Sequence, residues 1–427
     1  MKRVSFYTLG CKLNQAETSF LISECDEAGY EIVPFGESCD FCVINTCAVT
    51  SRTEQKCRNA IRKMRKNSPD VQIAVIGCYA QKEYAEISQM PGVRFVLGGD
   101  EKFDLCAILE NEQNGRVVKT SDNLTYRSAA HGDNRARTRA FLKIQDGCNN
   151  FCSYCIVPYV RGRSRSDTPA NIRDNVLRLV DRGFQEIVFT GVHIGRYGFD
   201  LDPEQSLLSL MQQVTTIPGL GRIRLSSLEP MEATADLIAF IADNDNICPH
   251  FHIPLQSGDD YILNRMNRDY TRREFEKVIE NIATHFKHPG IGTDVIVGFP
   301  GETDDRFENT HALIRNLPLT YLHVFSFSSR KGTKAAEFED TIASVVKKER
   351  SALLIETGRK KKRAFYSAAI GRDHRVVFED KAGSDNMSGF TENYIRVTTK
   401  RDLQYLNRIV PVKVTGIEGD NAMVDFC

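Results

Sequence analysis

Short apolar runs alternate with stretches of helical period along the first part of the chain. Runs at 4–9, 41–45, 73–76 and 93–97 predict strands, and apolar positions spaced by three and four residues over 17–29 and 53–66 predict helices between them. Strands alternating with helices imply a parallel sheet with right-handed crossovers. The pattern resumes after a polar stretch, with strands at 140–145, 186–190, 222–226, 251–255, 291–297 and 322–327. Helical stretches at 171–182, 206–214, 233–242 and 272–284 lie among them. Six strand–helix units predict an open, partial (β/α)6 barrel whose site sits at the C-terminal strand ends. A basic helix over 347–362 closes that part. From about 368 the period changes to two: strands at 375–378, 394–398 and 410–417, with turns at 381–383 and 418–420, predict a small β-barrel of the OB kind. The fold class is thus α/β, divided into 1–125, a linker at 126–138, 139–364, and an all-β unit at 365–427.

Composition changes this picture little; its distribution changes it more. Lys+Arg and Asp+Glu are equal at 56 each in 427 residues. Eight Lys/Arg face two Asp/Glu between Tyr126 and Ser166, and thirteen face nine from Arg359 to the end, whereas residues 1–125 carry fifteen against seventeen. Positive charge therefore collects near the middle and at the C-terminus, a footprint for a polyanion or a merely solvated surface. The arginines at 135, 137 and 139 and the run Arg359-Lys360-Lys361-Lys362-Arg363 are phosphate-contact candidates with the same alternative. No signal-peptide core follows Met1 and no run of eighteen apolar residues occurs, so a cytoplasmic protein with no membrane partner is expected. Thirteen cysteines without a secretion signal argue for reduced thiols or metal ligands.

Cys148, Cys152 and Cys155 directly follow the first strand of the central unit. Three thiols so close can hold three corners of a [4Fe–4S] cube and leave the fourth iron open for chemistry. A redox or zinc loop with its fourth ligand elsewhere is the alternative. Cys11, Cys47 and Cys78 each end one of the first three strands, at the carboxyl edge where parallel sheets bind ligands. They predict a second three-thiolate cluster, again with one open iron. Cys39 and Cys42, a pair with no matching second pair, are read as structural, and Cys25, Cys57, Cys106 and Cys248 as small apolar residues. Cys427 is terminal and read as incidental.

The wording around these cysteines resembles the radical S-adenosylmethionine (radical SAM) methylthiotransferases. Gln145-Asp146-Gly147-Cys148 leads into the cysteine run, and Ile156-Val157-Pro158-Tyr159-Val160-Arg161-Gly162-Arg163-Ser164-Arg165-Ser166 leads out. Thr8-Leu9-Gly10-Cys11-Lys12-Leu13-Asn14-Gln15, Asn45-Thr46-Cys47-Ala48-Val49-Thr50 and Gly77-Cys78-Tyr79-Ala80-Gln81 look like that family's N-terminal domain, which carries an auxiliary, sulfur-handling cluster. Gly389-Phe390-Thr391-Glu392-Asn393-Tyr394-Ile395-Arg396-Val397 resembles the RNA-binding TRAM domain. The resemblance implies two [4Fe–4S] clusters. At Cys148, Cys152 and Cys155 the open iron is chelated by SAM, which an electron cleaves to methionine and a 5′-deoxyadenosyl radical. At Cys11, Cys47 and Cys78 a methylated sulfur is presented. The outcome is CH3–S in place of hydrogen, with SAM serving as radical source and as methyl donor.

Further contacts come from the other strand ends. Thr190, Gly191, Glu229, Gln256 and Asp294 are candidate SAM contacts, since glycine lets backbone approach a cofactor and a carboxylate can bond a ribose hydroxyl or an amine. Glu302 is read as opening a helix, and His193 and His252 as ordinary polar residues. Arg161, Arg163, Lys360, Lys361, Phe390, Asn393 and Tyr394 are RNA-contact candidates, with core aromatics as the alternative for Phe390 and Tyr394. Within the family, Gly10 to Gln15, Gly77 to Tyr79 and residues 190–195 look most like the MtaB type, which acts on C2 of N6-threonylcarbamoyladenosine beside the tRNA anticodon. Types acting on isopentenyladenosine in tRNA (MiaB type) or on a ribosomal-protein aspartate (RimO type) share the cysteines. tRNA and a reductant protein of the flavodoxin or ferredoxin type are the implied partners. A non-catalytic RNA-binding iron–sulfur or zinc protein is the reading from a different class.

Overall fold

The computed structural model describes residues 1–49, 51–111, 117–119, 124–129, 138–380 and 384–427. Arg135, Arg137 and the turn at 381–383 lie outside the described residues. In the N-terminal unit, β1 (Arg3–Thr8), β2 (Glu31–Val33), β3 (Phe41–Thr46), β4 (Gln72–Gly77), β5 (Val93–Leu97) and β6 (Val117–Lys119) form one sheet in the order β2-β1-β3-β4-β5-β6. Each neighbouring pair is parallel. β3 is buried at all six positions because helices cover both faces, so it reads as a continuous apolar run with no alternation. The helix predicted over 17–29 begins earlier, at Lys12, and runs to Glu27 with Cys11 as its N-cap.

The central unit begins with β7 (Arg139–Lys143). A two-residue antiparallel pair follows, β8 (Gln145–Asp146) with β9 (Arg165–Ser166), and brackets the cysteine run. Five more parallel strands complete the unit: β10 (Glu186–Thr190), β11 (Arg222–Leu225), β12 (His250–His252), β13 (Gly290–Val297) and β14 (Tyr321–Ser326). They form the runs β7-β10-β11 and β12-β13-β14, linked through single bridges Ile223–Ile247 and Ser227–His252. The expected six-strand open barrel results, filled by a core that includes Leu142, Ile187, Phe189, Ile223, Ile253 and Val295. The fourth strand is shorter than predicted. Pro254 has no N–H, and the Leu255 N–H turns to the Thr293 hydroxyl at 2.9 Å.

The basic helix extends over Ser344–Ser367 and joins the central unit to the last one. There β15 (Asp373–Glu379), β16 (Asn386–Thr391), β17 (Arg396–Lys400), β18 (Ile409–Glu418) and β19 (Asn421–Phe426) close a barrel in the order β15-β16-β17-β19-β18. Five strands in that closed order, with β17 and β19 parallel, fit the OB architecture. The strand predicted over 394–398 starts two residues later, because Tyr394 at φ +73° forms the turn between β16 and β17.

Buried ion pairs weld the units. Glu186, fully buried, holds Arg222 (2.7 Å to Nε) and Arg224 (2.9 Å to Nε). Both guanidinia continue into the barrel, to the carbonyls of Arg375 and Phe390 and to those of Glu392 and Thr391, at 2.7–2.9 Å. Between the first two units, Arg161 reaches Glu17 Oε1 and Asp146 Oδ1, both at 3.0 Å.

Candidate active site

One side chain fixes the loop carrying Cys148, Cys152 and Cys155. Gln145 is fully buried; its Oε1 accepts the N–H of Val192 (3.0 Å) and of His193 (2.8 Å), and its Nε2 donates to the Gly147 carbonyl (2.7 Å) and Ser164 Oγ (2.9 Å). A single amide thus ties the ends of β7 and β10 to the segment leaving the loop. Gly147 sits at φ +71°, where a Cβ would run into the Arg163 carbonyl, so only glycine fits. The Cys148 N–H then bonds the Gly162 carbonyl at 3.1 Å.

Donors point at the sulfurs. The Asn150 N–H lies 3.4 Å from Cys148 Sγ, His193 Nδ1 is 3.5 Å from it, and Arg268 donates to Cys152 Sγ at 3.0 Å. Burial acts to raise the Cys148 thiol, but the hydrogen bond and charge of His193 outweigh it and the pKa falls. Burial pushes Cys155 up to about 12. Glu229 pairs with Arg268, and Glu232 Oε1 stands 2.6 Å from His193 Nε2.

The second trio depends on Asn14. One turn into the helix after Cys11, its Nδ2 donates to the carbonyls of Leu9 (2.8 Å) and Thr46 (3.0 Å), fastening together the chain ends that carry Cys11 and Cys47. Gly10 lets those ends close, since a Cβ there would come within 2.7 Å of Cys47 Cβ. Cys78 opens the helix Cys78–Lys82 directly after β4. Arg161 Nε donates to Cys78 Sγ at 3.2 Å, and its Nη2 to Asn14 Oδ1 at 2.7 Å. Arg161 ends the helix Val157–Arg161, which begins two residues after Cys155, so one short helix links the two cysteine trios.

A single ion suits neither trio. Four thiolates at 2.3 Å around one zinc would place sulfurs about 4 Å apart. Among the described residues the one group of three possible ligands within 4.8 Å is instead His252, Asp294 and His323. Both imidazoles of that group already bond Asp294 Oδ1, at 2.9 and 3.0 Å. Three separated thiols with N–H and guanidinium donors aimed at their sulfurs match what a cube with thiolate ligands accepts.

A cleft of about 230 Å³ adjoins Cys155, lined by Tyr154, Gln256, Asp294, Phe325 and Phe327 together with Val49 of the N-terminal unit. Of the expected SAM contacts, Gln256 and Asp294 therefore face this space. Glu229 is committed to Arg268. Thr190 is buried, its carbonyl accepting the Ile144 N–H at 3.0 Å, and Gly191 packs against the Gln145 carbonyl; both shape the loop and neither lines the cleft.

The RNA-contact candidates divide more sharply. Arg161 and Asn393 are buried, the latter bonded to Thr391 Oγ1 and to the His288 carbonyl, so neither is open to a polyanion. Arg139 and Lys143 are likewise spent on Glu186 and Glu379 and on Asp146, so much of the central excess of positive charge points inward. Arg163 stays exposed over the Phe151 ring, and Lys360 stays exposed; Lys361 instead donates to the carbonyls of Arg315 and Leu317. Phe390 and Tyr394 stack at 4.6 Å and line a cavity of about 310 Å³ between barrel and central unit, with His323, Lys362, Tyr366 and Arg396. Lys12 reaches the same junction from the N-terminal side, its Nζ 6.0 Å from the Tyr394 ring centre, and burial together with Arg224 and Arg139 pulls its ammonium down to about 8.

Residues 142–314 match the radical SAM superfamily, and residues 3–98 match the uncharacterized protein family UPF0004. The threonylcarbamoyladenosine tRNA methylthiotransferase MtaB of Bacillus subtilis is 38% identical over 97% of this chain and 94% of its own length. The chain belongs to the radical SAM methylthiotransferases. With membership come SAM and [4Fe–4S] clusters as cofactors. A second relative, the tRNA-2-methylthio-N(6)-dimethylallyladenosine synthase of Pelotomaculum thermopropionicum, is 33% identical over 97% of this chain and 96% of its own. Among solved structures, the radical SAM methyltransferase TsrM from Kitasatospora setae, with cobalamin and a [4Fe–4S] cluster bound, shares the fold at TM-score 0.54, with 16% identity over 76% of this chain and 75% of that one. In methylthiotransferase terms, sequence reasoning missed Asn14, Glu17, Glu232 and Arg268. Only the first two left a trace, at one-turn spacing after Cys11.

Proposed function

We propose that this methylthiotransferase replaces the C2 hydrogen of N6-threonylcarbamoyladenosine in tRNA with a CH3–S group. Two three-cysteine sites joined by the short helix Val157–Arg161, whose arginine reaches Cys78, with Cys155 and Val49 lining one cleft, carry this reading. Cys148, Cys152 and Cys155 hold the cluster that binds SAM, and Cys11, Cys47 and Cys78 hold the auxiliary one. When loaded, the first supplies a radical able to take hydrogen from a carbon that is not acidic, and the second supplies the methylated sulfur. The residues around them orient and shield. Gln145 and Gly147 set the first loop, Arg268 and Arg161 offset thiolate charge, and Val49 helps close the cleft. Gln256 and Asp294 contact SAM at the cleft. The exposed Arg163 and Lys360 and the Phe390–Tyr394 stack engage RNA. A flavodoxin- or ferredoxin-type protein delivers the electron. No helix among the described residues is long and apolar enough to cross a membrane.

The threonylcarbamoyl substrate is supported by the Bacillus subtilis relative, at 38% identity against 33% for the dimethylallyladenosine one. The test is a nucleoside digest, read by mass, of threonylcarbamoyl- and isopentenyl-adenosine tRNAs offered in competition to reconstituted enzyme with SAM and reductant under anaerobic conditions. A methylthio shift on the threonylcarbamoyl nucleoside is expected. A shift confined to isopentenyladenosine overturns the substrate, and SAM cleavage with no shift on either moves the reaction to a protein. Cys148→Ala abolishes SAM cleavage; Cys11→Ala spares cleavage and stops methylthio product.

A further inference from the structure

Among the described residues, the enclosed cations where the three units meet are paired, with one exception. Arg222 and Arg224 hold Glu186, Arg139 holds Glu186 and Glu379, Arg161 holds Glu17 and Asp146, and Lys102 holds Glu17. Lys12 has no hydrogen bond or ion pair among the described residues; its ammonium lies over the Tyr394 ring, 6.0 Å from the ring centre. The acids within electrostatic reach, Glu186 and Asp294, are already committed to arginines and to His252 and His323. An ammonium held in a crevice without an anion is unfavourable unless something else completes it. Nothing in the fold requires a lysine there, because Asn14 and Gly10 do the structural work of that turn.

The position of Lys12 says what completes it. It is the residue after Cys11, a ligand of the sulfur-presenting site, so it stands beside the place where C2 of the base must be brought. On adenine, C2 and the carbon bearing N6 are separated only by N1, so a group on N6 lies next to the reacting edge. Threonylcarbamoyl carries a free carboxylate there, whereas isopentenyl is purely apolar. Tyr394, over which Lys12 sits, also walls the 310 Å³ cavity, which offers room for the substituent.

We propose that Lys12 is a specificity-determining residue, its ammonium pairing with the threonyl carboxylate of the substrate and rejecting the apolar isopentenyl group by the unpaired charge it would bury. The inference rests on the threonylcarbamoyl reading and adds a residue to it. The test measures binding of reconstituted holoenzyme to three otherwise identical anticodon stem-loops bearing threonylcarbamoyl-, isopentenyl- or unmodified adenosine. Wild type prefers the threonylcarbamoyl stem-loop. Lys12→Met lowers that preference about tenfold or more, the scale of a hydrogen bond to a charged group, and raises affinity for the isopentenyl stem-loop, which a folding or loading defect cannot do. Lys12→Arg keeps most of the preference. Methyl esterification of the threonyl carboxylate weakens binding to wild type and leaves Lys12→Met binding unchanged. If Lys12→Met retains the wild-type preference, or loses affinity for all three equally, the role of Lys12 is refuted. If wild type itself shows no preference for threonylcarbamoyl over unmodified adenosine, the substrate reading falls and takes this role with it.

Discussion

Replacing Glu186 by Gln tests how the C-terminal barrel is held. The carboxylate is fully buried, with Arg222 Nε and Nη2 at 2.7 and 2.6 Å, Arg224 Nε at 2.9 Å and Arg139 at 3.7 Å. Burial alone would raise its pKa; Arg224 and Arg222 outweigh that and hold it well below the usual carboxylate range. Arg222 and Arg224 send four hydrogen bonds across to the barrel, from guanidinia whose orientation this carboxylate fixes. Removing one partner of a buried ion cluster costs about 3–5 kcal/mol. Glutamine keeps the shape, so the lower end applies, and the melting transition should fall by on the order of 10 °C. Hydrogen exchange supplies the local readout, with protection lost in β15 and β16 before the central strands. The sign with pH follows from the depressed pKa. The stability Glu186 contributes is present above the unfolded carboxylate value of about 4.3 and is lost as pH falls toward the folded value, so wild type loses its advantage over Glu186→Gln in acid. A variant within about 1 kcal/mol of wild type, with the barrel equally protected, would refute this account.

Other substitutions probe the cluster sites. Arg161→Met leaves Glu17 and Asp146 buried without their shared partner; it should destabilise by about 3–5 kcal/mol and lower iron from the roughly eight per chain of two cubes, read by metal analysis. Gly147→Ala places a Cβ against the Arg163 carbonyl at a positive φ, so the Cys148 loop should not form and SAM cleavage should vanish while the secondary structure seen by circular dichroism remains. Asn14→Ala unties Leu9 from Thr46; iron should be lost from the N-terminal site, and methylthio product should fall further than SAM cleavage. Arg268→Gln removes the donor to Cys152, and a changed potential of the cluster there, read by electrochemistry, is the expected signature.

The periodicities made the architecture legible, and the cysteines did the same for the candidate site, because both signals are local: a strand announces itself within a few residues, and three thiols at the strand ends need only the strand order. What escaped the sequence is long-range polar pairing. Arg161 reads as a surface cation in a basic stretch, and only the packing of the N-terminal unit on the central one brings Glu17 to it. Lys361 and Asn393 misled in the same way, since carbonyls of Leu317 and His288, distant in sequence, consume their donors. Tyr394 fits the two-residue period of a strand, yet the turn it makes at φ +73° is enforced by the bonds between Thr391 and Ile395.

The two cysteine trios also differ in when they can exist. Cys148, Cys152 and Cys155 share one loop, whose closure brings the thiols near one another early and at small entropic cost. Cys11, Cys47 and Cys78 belong to three strands of a parallel sheet, and meet only after β1, β3 and β4 have paired. Arg161, which touches Cys78, is synthesised after all three, so the N-terminal site is completed by a residue from the next unit. The two trios thus place different demands on assembly: the thiols of the central loop are neighbours before its supports from Val192, His193 and Arg268 arrive, whereas those of the N-terminal sheet come together only with strand pairing and gain the Arg161 donor only once the two units have docked.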